Sequence, residues 1–164
     1  MSGRLCAFWV ALIVLLDQYT KQLVLTHFEL GESIDIVAGL FALTSVRNRG
    51  GAFGLLSTLP EAWRVAFFVV FALGTMGALI WMLAQTKRED RWMRIALTGV
   101  IGGALGNLID RVRFGEVVDF LDVYVNDWHW PTFNVADSFI TCGLIVLLLV
   151  TARSQEPTEE SAGE

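Results

Sequence analysis

Apolar residues run almost without interruption through four segments of the chain. The clearest runs from Val65 to Ala84, twenty residues without a formal charge. A helix of that length spans about 30 Å, the thickness of a bilayer core. The other three segments are Leu5 to Leu25, Trp92 to Ile109 and Val135 to Ala152. The pattern predicts an all-α integral membrane protein with four transmembrane helices.

Composition agrees with this pattern and sets limits on partners. The chain has 164 residues, of which 54% are hydrophobic, and its mean hydropathy is +0.55. We predict one four-helix domain over residues 1–153 and a disordered, acidic, cytoplasmic tail over residues 154–164. The tail supplies four of the acidic residues behind the net charge of -5. The remainder is nearly balanced and has no basic patch, so nucleic acid is not an expected partner.

The basic residues of the short loops predict the orientation. The loop from Gln85 to Arg91 contains Lys87 and Arg88 as well as Arg91 itself, which is typical of a cytoplasmic loop. Both termini are then cytoplasmic, and the segments 26–64 and 110–134 face outward. Arginines in these outer segments oppose the assignment by simple count, and we interpret three of them as serving a functional site: Arg47, Arg49 and Arg111.

Polar residues gather at the outward ends of the spans. Asp17 and Lys21 lie four residues apart, on one face of the first helix, where they could form a structural ion pair. Asp137 begins the fourth span, and Asp119 lies in the apolar stretch "VVDFLDVYV". Ionisable residues beside lipid are costly, so several at one depth favour a shared site. The third span ends with further polar residues: Asn107, Asp110 and Arg111.

The residue types restrict the chemistry of such a site. The two histidines, His27 and His129, lie in no polar cluster with a nucleophilic serine, which argues against serine catalysis. The sequence has no H-E-x-x-H motif, and neither Cys6 nor Cys142 has metal-ligand spacing around it. A phosphate-binding loop and a dinucleotide fingerprint are also missing. Carboxylates remain, and we expect neither a metal nor a cofactor.

Asp119 and Asp137 suit carboxylate catalysis best because each stands in apolar surroundings. Two aspartates close together cannot both ionise cheaply, so they share a proton. One can then activate water as a base while the other donates a proton. Aspartate pairs are common, so their spacing is weak evidence.

Five sequence blocks occur in order along the chain: "DQYTK" (17–21), "NRGGAFG" (48–54), "GGALGNLIDR" (102–111), "VVDF" (117–120) and "FNVAD" (133–137). They extend over about 120 residues, from the first span to the start of the fourth. In this order they resemble the motifs of the bacterial lipoprotein signal peptidase (signal peptidase II) family.

The resemblance implies an aspartic endopeptidase of the bacterial inner membrane with Asp119 and Asp137 as its catalytic pair. Its substrates would be diacylglyceryl-modified prolipoproteins, cut before the lipidated cysteine at the extracytoplasmic face, with membrane lipid as the surroundings. It also implies a small extracytoplasmic β-structure in the first outer segment, where Ser33 to Val46 is rich in β-branched and apolar residues. Asp17 and Lys21 would stabilise the fold. Supporting or substrate-binding positions would be Asn48, Asn107, Asp110, Arg111 and Asn134.

Two other classes of protein remain open at this point. A proton-coupled carrier could use the same carboxylates as a relay. Against it, the polar residues cluster at one face, and the second span has no charged residue to line a path across the membrane. A purely structural membrane protein is the other alternative.

Overall fold

The computed structural model describes residues 1–50 and 58–153, and within them lie four long helices. These are α1 (Gly3–His27), α2 (Glu61–Gln85), α3 (Arg91–Phe114) and α4 (Val135–Arg153). All four are long and apolar enough to cross a membrane, so the four predicted spans are confirmed. Each helix extends past its predicted span, because hydropathy marks only the apolar part of a helix. The predicted acidic tail lies outside the described residues.

Helix α3 is the centre of the bundle. Most of its surface is buried inside the protein, whereas the other three helices leave most of theirs exposed. Each of α1, α2 and α4 packs against α3. The residues buried at the α2–α3 contact form the main apolar core: Met76, Leu79, Leu97, Val100, Ile101 and Leu108.

Two glycines of "GGALG" allow α3 to approach its neighbours closely. A Cβ atom on Gly103 would collide with the carbonyl oxygen of Ala136 in α4, and one on Gly106 would collide with the carboxylate of Asp17 in α1. Small residues therefore bring three helices together at one level. The close packing places the start of α4 and the polar part of α1 beside α3.

The chain segments outside the bundle form an antiparallel sheet of four strands in the described residues, in the order β1-β2-β3-β4. The strands are β1 (Ser33–Val37), β2 (Phe41–Asn48), β3 (Val117–Val125) and β4 (Trp128–His129). Strands β1 and β2 confirm the β-structure predicted in the first outer segment.

The second outer segment also forms strands, which the sequence analysis did not predict, so the all-α class is too narrow. Strand β3 begins with four buried residues, including both faces of the strand. A strand buried on both faces loses the alternation of apolar and polar residues by which strands are identified.

Candidate active site

Strand pairing fixes the position of Asp119. In the antiparallel register of β2 and β3, Val46 lies opposite Asp119 and Asn48 lies opposite Val117. The Nδ2 atom of Asn48 donates a hydrogen bond of 3.0 Å to Oδ2 of Asp119. Asp119 is 1% exposed. The sheet thus holds one carboxylate in a buried position with an amide on one side.

Asp137 belongs to the cap of α4. Its backbone N–H donates to Oδ1 of Asn134 at 2.9 Å, and the backbone N–H of Asn134 donates to Oδ2 of Asp137 at 3.3 Å. This reciprocal arrangement is a capping box made by asparagine and aspartate. A carboxylate is also favoured near the positive end of the helix dipole. The cap explains locally why an aspartate begins an otherwise apolar helix.

Asparagine side chains join the two aspartates. Asn134 Nδ2 donates to Oδ1 of Asp119 at 2.6 Å, while its other atoms cap Asp137. Asn107 Nδ2 donates to the remaining oxygen of Asp137, Oδ1, at 2.7 Å. The structure therefore brings together five residues predicted from the sequence for this site: Asn48, Asn107, Asp119, Asn134 and Asp137.

The surroundings of Asp119 favour its protonated form. Burial, and next the nearby charge of Asp137, raise the pKa of Asp119 to about 7. Hydrogen bonds from Asn48 and Asn134 oppose the shift only in part. Neither aspartate forms a salt bridge with a described basic residue. Around neutral pH, this carboxyl group can both accept and release a proton.

A second buried cluster contains a cation. Lys21 Nζ lies 2.9 Å from Oδ2 of Asp17 and 2.9 Å from Oδ2 of Asp110. Asp17 Oδ1 accepts a hydrogen bond from the Ala136 N–H at 2.9 Å, and Asp110 Oδ2 accepts one from the Val118 N–H at 3.1 Å. The structure brings the two predicted partners Asp17 and Lys21 together, and Asp110 joins them. We call Asp17, Lys21 and Asp110 the brace cluster, because it connects α1, α3, α4 and β3.

Gln18 is a member of this region that the sequence analysis missed. Its Nε2 atom donates to Oδ1 of Asp110 at 2.8 Å and to the carbonyl oxygen of Gly106 at 3.2 Å. Its position next to Asp17, as a polar residue within an apolar span, could have identified it from the sequence.

The arginines interpreted as serving the site lie in two different places. Arg111 Nη1 donates to the Asn107 carbonyl oxygen at 3.3 Å, and its charge acts on Asp137 and Asp119. Arg47 and Arg49 instead pair with one glutamate, Glu116, at N–O distances of 3.6 and 3.2 Å. They secure the end of β2 to the start of β3.

Part of the "NRGGAFG" block and the expected absence of a metal or cofactor lie outside the hydrogen-bonded site described above. Residues 51–54 of the "NRGGAFG" block lie outside the described residues. Within the described ranges, no group of three or more histidine, cysteine, aspartate or glutamate residues is arranged to hold a metal ion. The expectations of no metal and no cofactor stay predictions.

Four membrane-spanning helices and a pair of aspartates joined by amides define a class of protein, a membrane protein with the groups for acid–base chemistry at one end of its bundle. A family model described as signal peptidase (SPase) II matches residues 9–153. The chain therefore belongs to the signal peptidase II family.

Individual relatives and solved structures agree with this membership. The lipoprotein signal peptidase of Syntrophus aciditrophicus is 46% identical over 150 residues, covering 92% of each chain. That of Geobacter metallireducens is 43% identical over 152 residues, covering 93% of each chain. A solved structure described as a bacterial membrane enzyme is 30% identical, with a TM-score of 0.86 over 99% of this chain and 96% of its own. A second has a TM-score of 0.80 at 32% identity, covering 94% of this chain and 96% of its own.

Proposed function

We propose that the protein is an aspartic endopeptidase that removes the signal peptide from diacylglyceryl-modified prolipoproteins, cutting before the lipidated cysteine. Its family membership and its relatives named lipoprotein signal peptidase support this activity. The observation that carries the catalytic assignment is the pair formed by Asp119, which is buried, and Asp137, which is half-buried; Asn134 joins them, and neither takes part in a described salt bridge.

Asp119 and Asp137 act together with one shared proton. The ionised carboxylate takes a proton from water as the water oxygen attacks the carbonyl carbon, and the protonated carboxyl group donates to the carbonyl oxygen. When the tetrahedral intermediate collapses, one of its two hydroxyl groups gives a proton to the aspartate pair. The proton that the pair took from water passes to the departing amine nitrogen of the cysteine. One water is consumed, and the pair regains its starting protonation.

The neighbouring side chains hold and assist this pair. Asn48 and Asn134 orient Asp119, and Asn107 orients Asp137 through the hydrogen bonds described above. Arg111 provides donors for substrate carbonyl oxygens, since a guanidinium carries five N–H groups and no acceptor. The brace cluster stabilises the fold around them.

The active site faces the extracytoplasmic side of the bacterial inner membrane, and both termini are cytoplasmic. The strands follow the C-terminal ends of α1 and α3. The sheet and the aspartate pair therefore lie at the end of the bundle opposite the basic α2–α3 loop. That loop contains Lys87, Arg88 and Arg91, which favour a cytoplasmic location. The diacyl chains of the substrate then stay in lipid while the scissile bond reaches the membrane surface.

A cleavage assay tests the activity directly. Detergent-purified protein should cut a diacylated peptide containing a lipobox before its cysteine, as seen by mass spectrometry, without added metal or nucleotide. The same peptide without lipid serves as the control and should be cut poorly. Absence of cleavage would overturn the proposal, and EDTA-sensitive cleavage restored by zinc would reveal a metal site instead of an aspartate pair.

Cysteine labelling in intact cells tests the orientation separately. Asp90→Cys and Asn126→Cys are made one at a time, in a background with Cys6→Ser and Cys142→Ser. An impermeant thiol reagent should label position 126 and spare position 90. Labelling of position 90 alone would put the aspartates at the cytoplasmic face, which is incompatible with processing of a translocated lipoprotein.

A further inference from the structure

Helix α2 reaches the candidate site through an aromatic side chain. Phe68 is half-buried, on the part of α2 nearest the sheet. Its ring lies under the guanidinium of Arg111, with Cζ 4.9 Å from the ring centroid. This distance falls inside the range of about 6 Å in which a cation is attracted to the face of an aromatic ring.

In the part of the chain that the structure describes, Arg111 has few other contacts that hold its side chain. Among the described residues it makes one hydrogen bond, from Nη1 to the carbonyl oxygen of Asn107 at 3.3 Å. That distance exceeds the usual value of about 2.9–3.0 Å, so the bond is weak. Arg111 takes part in no described salt bridge, although its charge acts on Asp137 and Asp119. Among the described residues, the ring of Phe68 is thus the main contact that can set the direction of the guanidinium.

We infer that Phe68 is a positioning residue, whose ring holds the Arg111 guanidinium beside the aspartate pair. An aromatic ring attracts the cation without neutralising it, whereas a carboxylate partner would compete with the substrate for the N–H donors. The ring therefore leaves the donors of Arg111 available to a carbonyl oxygen of the substrate. The inference rests on the proposed function, because it assigns Phe68 to the same reaction.

The neighbouring phenylalanines of α2 provide a matched control. Phe67 and Phe71 stack on each other, with ring centroids 6.1 Å apart and an angle of 9° between the planes. Both are exposed on the outside of the helix, at 50% and 63%. Phe71→Leu therefore removes an aromatic ring from the same helix without touching Arg111.

The test compares Phe68→Leu, Phe68→Trp and Phe71→Leu in the diacylated-peptide assay. A cation–π contact of ordinary strength predicts that Phe68→Leu lowers kcat by about threefold to tenfold, with KM changed less than twofold. Phe68→Trp restores an aromatic face and should recover at least half of the lost rate. Phe71→Leu should have kcat close to that of the parent.

A second arm places Phe68→Leu in an Arg111→Gln background. If Phe68 acts through Arg111, the two changes together should be no worse than Arg111→Gln, because the cation is already gone. Additive effects on kcat, a loss confined to KM, or equal activity of the Leu and Trp variants would overturn the inference. If the parent protein cleaves the peptide and Phe68→Leu has the same kcat, the inference is wrong and the proposed function stands. If the parent protein does not cleave the peptide, both are wrong.

Discussion

Two polar clusters lie side by side in this protein, and they differ in whether a described cation pairs with their carboxylates. In the brace cluster, Lys21 lies 2.9 Å from the carboxylates of both Asp17 and Asp110. Around Asp119 and Asp137, the nearest polar partners are asparagine amides. A cation thus pairs with the first two carboxylates, whereas neutral amides orient the other two without a described ion pair. The comparison separates carboxylates suited to holding the fold from carboxylates suited to chemistry.

The two clusters are nevertheless connected. Asn107 Oδ1 accepts a hydrogen bond from Lys21 Nζ at 2.9 Å, while its Nδ2 donates to Asp137. The lysine thereby orients the amide, and the amide orients the aspartate. Substitutions in the two clusters should therefore combine non-additively, as expected for residues of one hydrogen-bond network.

The largest effect should come from the aspartate pair. Asp119→Asn and Asp137→Asn each keep the shape of the side chain but cannot exchange a proton, so we expect kcat to fall by about 10³-fold or more. Both variants should remain folded in detergent, as judged by circular dichroism.

The control for this experiment is Asp122→Asn, on the same strand as Asp119. Asp122 is also buried but pairs with His129, so its substitution should leave kcat nearly unchanged. More than a tenth of the parent activity in either variant of the pair would contradict the assignment.

The brace cluster should respond in stability before activity. Asp17→Ala leaves Lys21 with one carboxylate and the Ala136 N–H without its acceptor. Breaking a buried ion pair costs about 3 to 5 kcal/mol, so Tm and yield should fall. Specific activity per folded molecule should fall much less than in the variants of the aspartate pair. A variant of normal Tm without activity would place Asp17 in the catalytic machinery and erase the distinction between the clusters.

The pH dependence of the free energy of unfolding should show that the surroundings of Asp119 favour its protonated form. Its pKa is raised from 3.8 to about 7, so the folded protein holds the proton more tightly than the unfolded chain. The stability that this provides is complete below pH 3.8 and disappears as the pH rises through about 7. Between pH 6 and 8 the parent should lose about 1.4 kcal/mol relative to Asp119→Asn. If the curves of Tm against pH were the same for the two proteins, a raised pKa of Asp119 would be ruled out.

Much of the site could be predicted from the sequence where the interactions are local. The partners of the Asp17–Lys21 pair, for example, lie four residues apart on one helix face. Hydropathy predicted the helices because each span must be apolar to lie in lipid. The resemblance of sequence blocks then brought distant residues into one predicted site.

The long-range contacts could not be predicted in the same way. Asn48 meets Asp119 across 71 positions of sequence, and that contact depends on the register of β2 against β3. A strand buried on both faces gives no periodicity from which to find the register. Gln18 was missed because its contact with Asp110 is also long-range and requires the close approach of α1 and α3 at Gly106.

The smallest effect should come from an ion pair at the surface. Arg49 is 69% exposed and lies 3.2 Å from Glu116. Exposed pairs contribute about 0 to 1 kcal/mol, because water screens the charges and both side chains lose conformational freedom. Arg49→Gln should therefore shift Tm only slightly and change kcat less than twofold, in contrast to Asp17→Ala. If Arg49→Gln kept its Tm but lost most of its activity, Arg49 would contact substrate, in agreement with the interpretation from the sequence that it serves the site.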